Sequence, residues 1–145
     1  MTGHLLRRVS VPIAHEKDAS VTARALEEFL GGAGVTLHFI HVIEKAGGAP
    51  DKAPLEARQQ QAKAIFEIVE THFAETDVEV RTELRYGTSV SDEIIAGAIE
   101  FDTTAIVFVP RDGSRIAKLL SGNLTQRLVS NDRIPVLVLP RSADE

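Results

Sequence analysis

Two stretches of this chain, Val35–Ile43 (VTLHFIHVI) and Thr104–Val109 (TAIVFV), are rich in β-branched residues and apolar on nearly every position. A strand with one wet face alternates apolar and polar residues. A strand apolar on both faces must be covered on both, which is how the inner strands of a parallel sheet read. Arg7–Ile13 (RRVSVPI) is a further short β-rich run, with Pro12 near its end, where a missing N–H does little harm. Ile134–Leu139 (IPVLVL) is another. Val78–Tyr86 (VEVRTELRY) alternates apolar and charged residues instead and belongs at a sheet edge.

Between these runs the apolar spacing changes to that of helices. Val21, Ala25, Leu26 and Phe29 form a candidate buried stripe, with Arg24, Glu27 and Glu28 facing out and Asp18 or Ser20 as the cap. Gly31, Gly32 and Gly34 are expected to end that helix through positive φ. After the Gly/Pro-rich loop Glu44–Pro54, a long helix is expected from Leu55 to about Ala74, with Ala62, Ile65, Phe66, Val69 and Phe73 on one stripe. Ser89 and Asp92 have the spacing of a capping box ahead of Ile94, Ile95, Ala98 and Ile99. Ile116–Leu120 can form a short helical turn. Asn123 and Gln126 have N-cap to N3 spacing for a last helix whose Leu124 and Leu128 face the core.

The order β-α-β-α-β-α-β-α-β, with no internal repeat and no second composition regime, implies one α/β domain over residues 1–145. Right-handed crossovers make it a three-layer α/β/α domain with a five-stranded parallel sheet, flavodoxin- or Rossmann-like, of order 3-2-1-4-5. In such a sheet ligands sit outside the carboxyl ends of the strands, where the order reverses. That directs attention to Pro110–Thr125, between the fourth strand and the last helix.

Composition narrows the function classes. There is no cysteine, hence no disulfide, thiolate nucleophile or Cys-based zinc site. A net charge of −5 disfavours general nucleic-acid binding. No apolar run reaches the roughly 18 residues of a membrane span, so membrane insertion is not expected and a cytoplasmic location is. His38 and His41 lie three apart in one strand, on opposite faces, and cannot share a metal; His41 is read as a hydrogen-bonded structural residue. His15 sits in the loop over the same strand ends, and His4 and His72 have no clustered partner. Ser114 follows a glycine but has no base nearby in sequence, and no catalytic signature is present.

Three passages together resemble the universal stress protein family: RRVSVPIAHEKDASVTARALEEF, LHFIHVIE, and the closing strand, glycine loop, LLSGNLTQRLV and Pro-containing valine/leucine strand. The resemblance covers nearly the whole chain. It implies a cytoplasmic, dimer-forming α/β protein connected with stress. In the family's nucleotide-binding group a Gly-x2-Gly-x9-Gly-Ser/Thr loop cradles phosphates, and an Asp after the first strand helps to hold adenosine.

Against that pattern, Gly122 fits the last glycine. The two earlier glycine positions fall on Val109 and Asp112, with Gly113 one residue late, and the Ser/Thr position falls on Asn123. Aligning Val11-Pro12-Ile13-Ala14 puts Ala14 at the adenosine-side Asp, while Val42 can wall a base. Val109 is branched where close backbone approach is needed, and Pro110 offers no N–H. A carboxylate at Asp112 about 5 Å from a phosphate charge repels it by roughly 3 kcal/mol at an effective dielectric near 20. A helix N-terminus returns about 0.3–1 kcal/mol, up to ~2 when partly buried. Arg111, Arg115 and Lys118 act the other way, since arginine grips phosphate bidentately.

The expected function is a non-catalytic, homodimeric stress-response module that does not bind ATP in the family's usual way. The alternative is an adenine-nucleotide-binding member, taking ATP or AMP with magnesium and slowly hydrolysing ATP, with Arg111 and Arg115 in place of the usual donors. The candidate ligand residues are Pro12, Ile13, Ala14, Val42, Val109, Arg111, Asp112, Gly113, Arg115, Gly122, Asn123, Leu124 and Thr125. The last strand, Pro135, Val136, Leu137, Val138 and Leu139, is the expected dimer seam, because an apolar edge strand is removed by pairing across a two-fold axis. The resembled family commonly pairs through this strand.

Overall fold

The structure is a computed structural model that describes residues 5–31, 34–45, 52–109 and 123–140, with the side chains of Lys52, Ala53, Pro54 and Asn123 outside the description. The elements run β1 (Arg8–Pro12), α1 (Glu16–Leu30), β2 (Thr36–Glu44), α2 (Lys52–His72), β3 (Glu79–Gly87), α3 (Val90–Glu100), β4 (Ala105–Phe108), α4 (Asn123–Val129) and β5 (Val136–Val138). All five strands are parallel, in the order β3-β2-β1-β4-β5, as the run of apolar strands and helices implied. The expected turn at Ile116–Leu120 lies outside the described residues.

The period-two alternation of the strands divides the interior into two cores. Val9, Val11, Leu37, Phe39 and Val107 pack with Ala19, Ala23 and Leu26 of α1 and with Ile65 and Val69 of α2. Ile106, on the other face, packs with Ile94 and Ala98 of α3 and Leu128 of α4, with Val42 at the margin. The alternating strand β3 is at one edge of the sheet, where its charges meet solvent and α3. There Arg85 pairs with Glu83 of its own strand and with Glu93 and Glu100 of α3.

Several local expectations are corrected. Phe29 is 44% exposed, because α1 turns the Ala19, Thr22, Ala23, Leu26 and Leu30 stripe inward instead. The N-cap of α1 is His15, which makes no side-chain cap bond, so neither Asp18 nor Ser20 caps it. Asp18 joins Glu16 in the first turn, where acidic groups complement the helix dipole. Gly31 ends the helix with φ −62° and an N–H bond to the Glu27 carbonyl, so only Gly34, at φ 91°, has the positive φ expected of it among the described glycines. Ser89 does cap α3, its Oγ accepting from the Asp92 N–H at 3.3 Å.

On the α3 face a polar ladder crosses the sheet. Ser10 of β1 lies beside His38 of β2 in the parallel register, and Glu83 of β3 is two residues beyond His38's own partner, Arg81. His38 Nε2 lies 2.8 Å from Glu83 Oε1, and Nδ1 lies 2.8 Å from Ser10 Oγ. With Glu83 accepting, Nε2 carries the proton and Nδ1 accepts from the Ser10 hydroxyl. Ser10 Oγ accepts in turn from Thr103 Oγ1. Every polar atom of the ladder is thereby used. The imidazole stacks on Phe101 at 4.1 Å between centroids, and Arg8 lies over the same ring while donating to the Phe101 carbonyl. Burial pulls the His38 pKa below its ordinary value, against the opposing pull of Glu83, so the ring sits neutral in the fold.

Candidate functional site

The sheet order reverses between β1 and β4, and the segments leaving their carboxyl ends must diverge there. A cavity of about 340 Å³ opens at that place. β1 and the turn after it supply Pro12, Ile13, Ala14 and His15, and the first turn of α1 supplies Asp18. β2 contributes Ile40 and Val42, α3 contributes Val90 and Ile94, and β4 ends into it with Phe108 and Val109. Leu124, Thr125 and Leu128 of α4 close the far side. Its walls are therefore mostly aliphatic, with His15, Asp18 and Thr125 as the polar contributors, and its size is at the lower end of ordinary small-molecule sites.

The structure thus brings together Pro12, Ile13, Ala14, Val42, Val109, Leu124 and Thr125 from the residues singled out in the sequence. Leu124 is corrected in one respect. It is 40% exposed and borders the cavity, whereas Leu128, one helical turn on, is the residue buried in the core. Asn123 is the first residue of α4. Arg111, Asp112, Gly113, Arg115 and Gly122, with Pro110, Ser114 and Lys118, lie outside the described residues. His41 is turned away, its Nδ1 donating to the Ile13 carbonyl at 2.7 Å and fixing the segment that carries Ala14.

Sequence reasoning did not assign Asp18, Ile40, Val90, Ile94, Phe108 or Leu128 to the cavity. In the sequence Asp18 stands only as a candidate cap. Once His15 takes that place, Asp18 is the third helical residue, and its side chain reaches over the end of the sheet. Loss of solvent there pushes its carboxyl up from 3.8 to about 6. Thr125 is only 6% exposed, and its hydroxyl has no hydrogen-bond partner among the described residues. Ser10, His38 and Glu83 superficially order themselves as nucleophile, base and orienting acid. Ser10 is 0% exposed and takes the Thr103 hydrogen bond, so no substrate reaches it and the ladder is structural.

A doubly wound α/β domain with a crevice at its switch point is the class that this fold and site define. The family model described as "Universal stress protein family" matches residues 6–140, and the chain belongs to that family. Solved structures agree in fold. A universal stress family protein from Burkholderia pseudomallei superposes with a TM-score of 0.73 at 18% identity, covering 94% of this chain and 97% of that one. A family member from Arabidopsis thaliana with AMP bound gives 0.66 at 16% identity, covering 94% of both chains. The universal stress protein of Archaeoglobus fulgidus in complex with dAMP gives 0.59 at 18% identity, covering 91% of this chain and 96% of the other. No curated protein matches the sequence. Among the described residues no helix is long and apolar enough to cross a membrane.

Proposed function

We propose that this protein is a non-catalytic, homodimeric regulatory module of the universal stress type, cytoplasmic, that does not hold ATP in the family's usual manner. The observation that carries the reading is the identity of two cavity-lining residues. Ala14 stands where the resemblance implies an adenosine-binding Asp, and the branched Val109 stands where it implies the first glycine of the phosphate loop. Neither offers a polar side chain to a ligand, and Val109, a buried member of the core, lacks the conformational freedom with which a glycine lets a phosphate approach the backbone. The Ser10 ladder supports a non-catalytic role, since its hydroxyl and imidazole are buried and already committed to structural bonds.

Calorimetry with ATP, ADP and AMP, each with magnesium, tests the reading. It expects no ATP binding in the micromolar range, and micromolar affinity for ATP overturns it. The AMP- and dAMP-bound relatives and the aliphatic, nucleoside-sized crevice favour a second reading, in which the same cavity takes an adenine ligand carrying fewer phosphates. In that case AMP binds where ATP does not.

The edge strand β5 supports the homodimer. This three-residue strand pairs on one side with β4 and stands last in the sheet, and Val138 on it is 39% exposed. A two-fold pairing of such edges covers both the open backbone groups and the apolar side chain.

A further inference from the structure

Opposite β5 the sheet ends at β3, a strand of 9 residues whose outer side no strand pairs among the described residues. Its backbone directions are set by β2: the Glu79 N–H donates to the Val35 carbonyl, and the Gly87 carbonyl accepts from the Lys45 N–H. Backbone groups alternate in direction along a strand, so Val80, Thr82 and Leu84 turn both N–H and C=O outward. The side chains on the α3 side carry a second pattern, Glu79, Arg81, Glu83 and Arg85, alternating in sign. A charged edge ordinarily keeps other edges away, because most registers set like charges opposite each other. A second copy of β3, antiparallel and centred on Thr82, reverses that. Glu79 of each copy then lies across from Arg85 of the other, and Arg81 lies across from Glu83. The same register sets Val80 opposite Leu84 and Thr82 opposite itself, so every outward N–H of these residues meets an outward carbonyl. The Glu and Arg residues fall at the non-hydrogen-bonded positions, about 4.5 Å apart at Cα, where side chains approach most closely. Moving the axis to Arg81 sets Glu79 against Glu83, and moving it to Glu83 sets Arg81 against Arg85.

We propose that β3 is a second self-association edge, at which two copies of this chain join antiparallel about a two-fold axis through Thr82. Backbone geometry and charge order select the same register independently. Arg81 is 61% and Glu79 50% exposed, so this part of the strand is open to a partner. Arg85 is shared among Glu83, Glu93 and Glu100, which leaves Glu83 with acceptor capacity for Arg81 of the other copy. The contact goes beyond the β5 homodimer and does not depend on it. Because β3 and β5 are opposite edges, the two contacts together continue the sheet from copy to copy as an open chain rather than a closed pair.

Sedimentation velocity over a concentration series at low ionic strength tests it, on the full chain, on Val138→Lys, on Arg81→Glu and on the two changes combined, with circular dichroism confirming that each variant folds. The proposal expects Val138→Lys to retain a dimer, whose dissociation constant rises about tenfold or more in high salt or on adding Arg81→Glu. The chain has no cysteine, so a single one reports the axis directly. Thr82 and its mate lie about 5.5 Å apart at Cα, within disulfide reach. Oxidised with diamide, Thr82→Cys should therefore give a disulfide-linked dimer about tenfold faster or more than Thr88→Cys, which is exposed just past the end of the strand. A Val138→Lys protein that is monomeric throughout the series overturns the proposal and leaves the β5 reading standing. A dimer indifferent to Arg81→Glu, or equal cross-linking at the two cysteines, also overturns it. If Val138→Lys leaves the parent's assembly unchanged while Arg81→Glu reduces it, the β5 reading falls and the β3 contact stands.

Discussion

Removing the Ser10 hydroxyl isolates the energetics of the polar ladder. In Ser10→Ala the His38 Nδ1 lone pair loses its donor, 2.8 Å away in the parent, while Nε2 stays tied to Glu83 at 2.8 Å. His38 is 2% exposed, so water does not replace the lost bond. A buried acceptor left unsatisfied costs about 1–3 kcal/mol, and the Thr103 bond adds a net of about 0.5 kcal/mol. We expect a total near 2 kcal/mol, which lowers the Tm of a chain this size by about 6 °C. Urea denaturation near neutral pH, followed by circular dichroism, measures it. In a His38→Phe background the ring still stacks on Phe101 but there is no nitrogen to strand. There Ser10→Ala should cost about 0.5 kcal/mol, a coupling of about 1.5 kcal/mol between the two sites. Equal costs in the two backgrounds would refute the directed chain from Thr103 through Ser10 and His38 to Glu83.

Asp18 gives a pH signature of opposite sign to that of His38. Its folded pKa, about 6, is above its ordinary 3.8, so its contribution to stability is full below that ordinary value and is lost as pH rises through about 6. The shift of about two units corresponds to ~3 kcal/mol, and solvent access to the carboxyl reduces this to about 1–2 kcal/mol. Asp18→Asn should therefore gain stability relative to the parent by that amount between about pH 4 and pH 7, and a flat difference across that range contradicts the desolvated carboxyl. His38, depressed below its ordinary 6.5, destabilises both proteins equally as pH falls and drops out of the difference. Asn131→Ala should cost about 2 kcal/mol in the same denaturation assay. Its Oδ1 accepts from the Arg133 and Ile134 N–H groups, both at 2.8 Å, and its Nδ2 donates to the Leu128 and Ile134 carbonyls, so it holds the turn into β5. Val138→Lys should shift sedimentation toward the monomer, and an unchanged distribution counts against β5 as the seam.

Much of the architecture was legible in the residues. Continuous apolar runs at Val35–Ile43 and Thr104–Val109 require covering helices on both faces, and the alternating run at Val78–Tyr86 requires an edge. Those two patterns anticipate the parallel sheet and the position of β3. Half of the cavity was legible for a different reason: Pro12, Ile13, Ala14, Val42, Val109, Leu124 and Thr125 are positions on which the motif of the resembled family falls. Periodicity failed at Phe29 and Leu124, because spacing says which residues share a helical stripe but not which of two overlapping stripes meets the sheet. Asn131 was missed because its four hydrogen bonds are local turn geometry with no repeat to reveal them.

The sequence by itself determined the fold class, the strand types and the family resemblance, because burial on one face or two is written in the order of side chains. Only the tertiary structure decided that Asp18 and Thr125, far apart in the chain, face one cavity, and that Ser10, His38 and Glu83 form one closed ladder. Both depend on how three or more elements stack. The raised pKa of Asp18 and the commitment of Ser10 depend on the solvent which that stacking excludes.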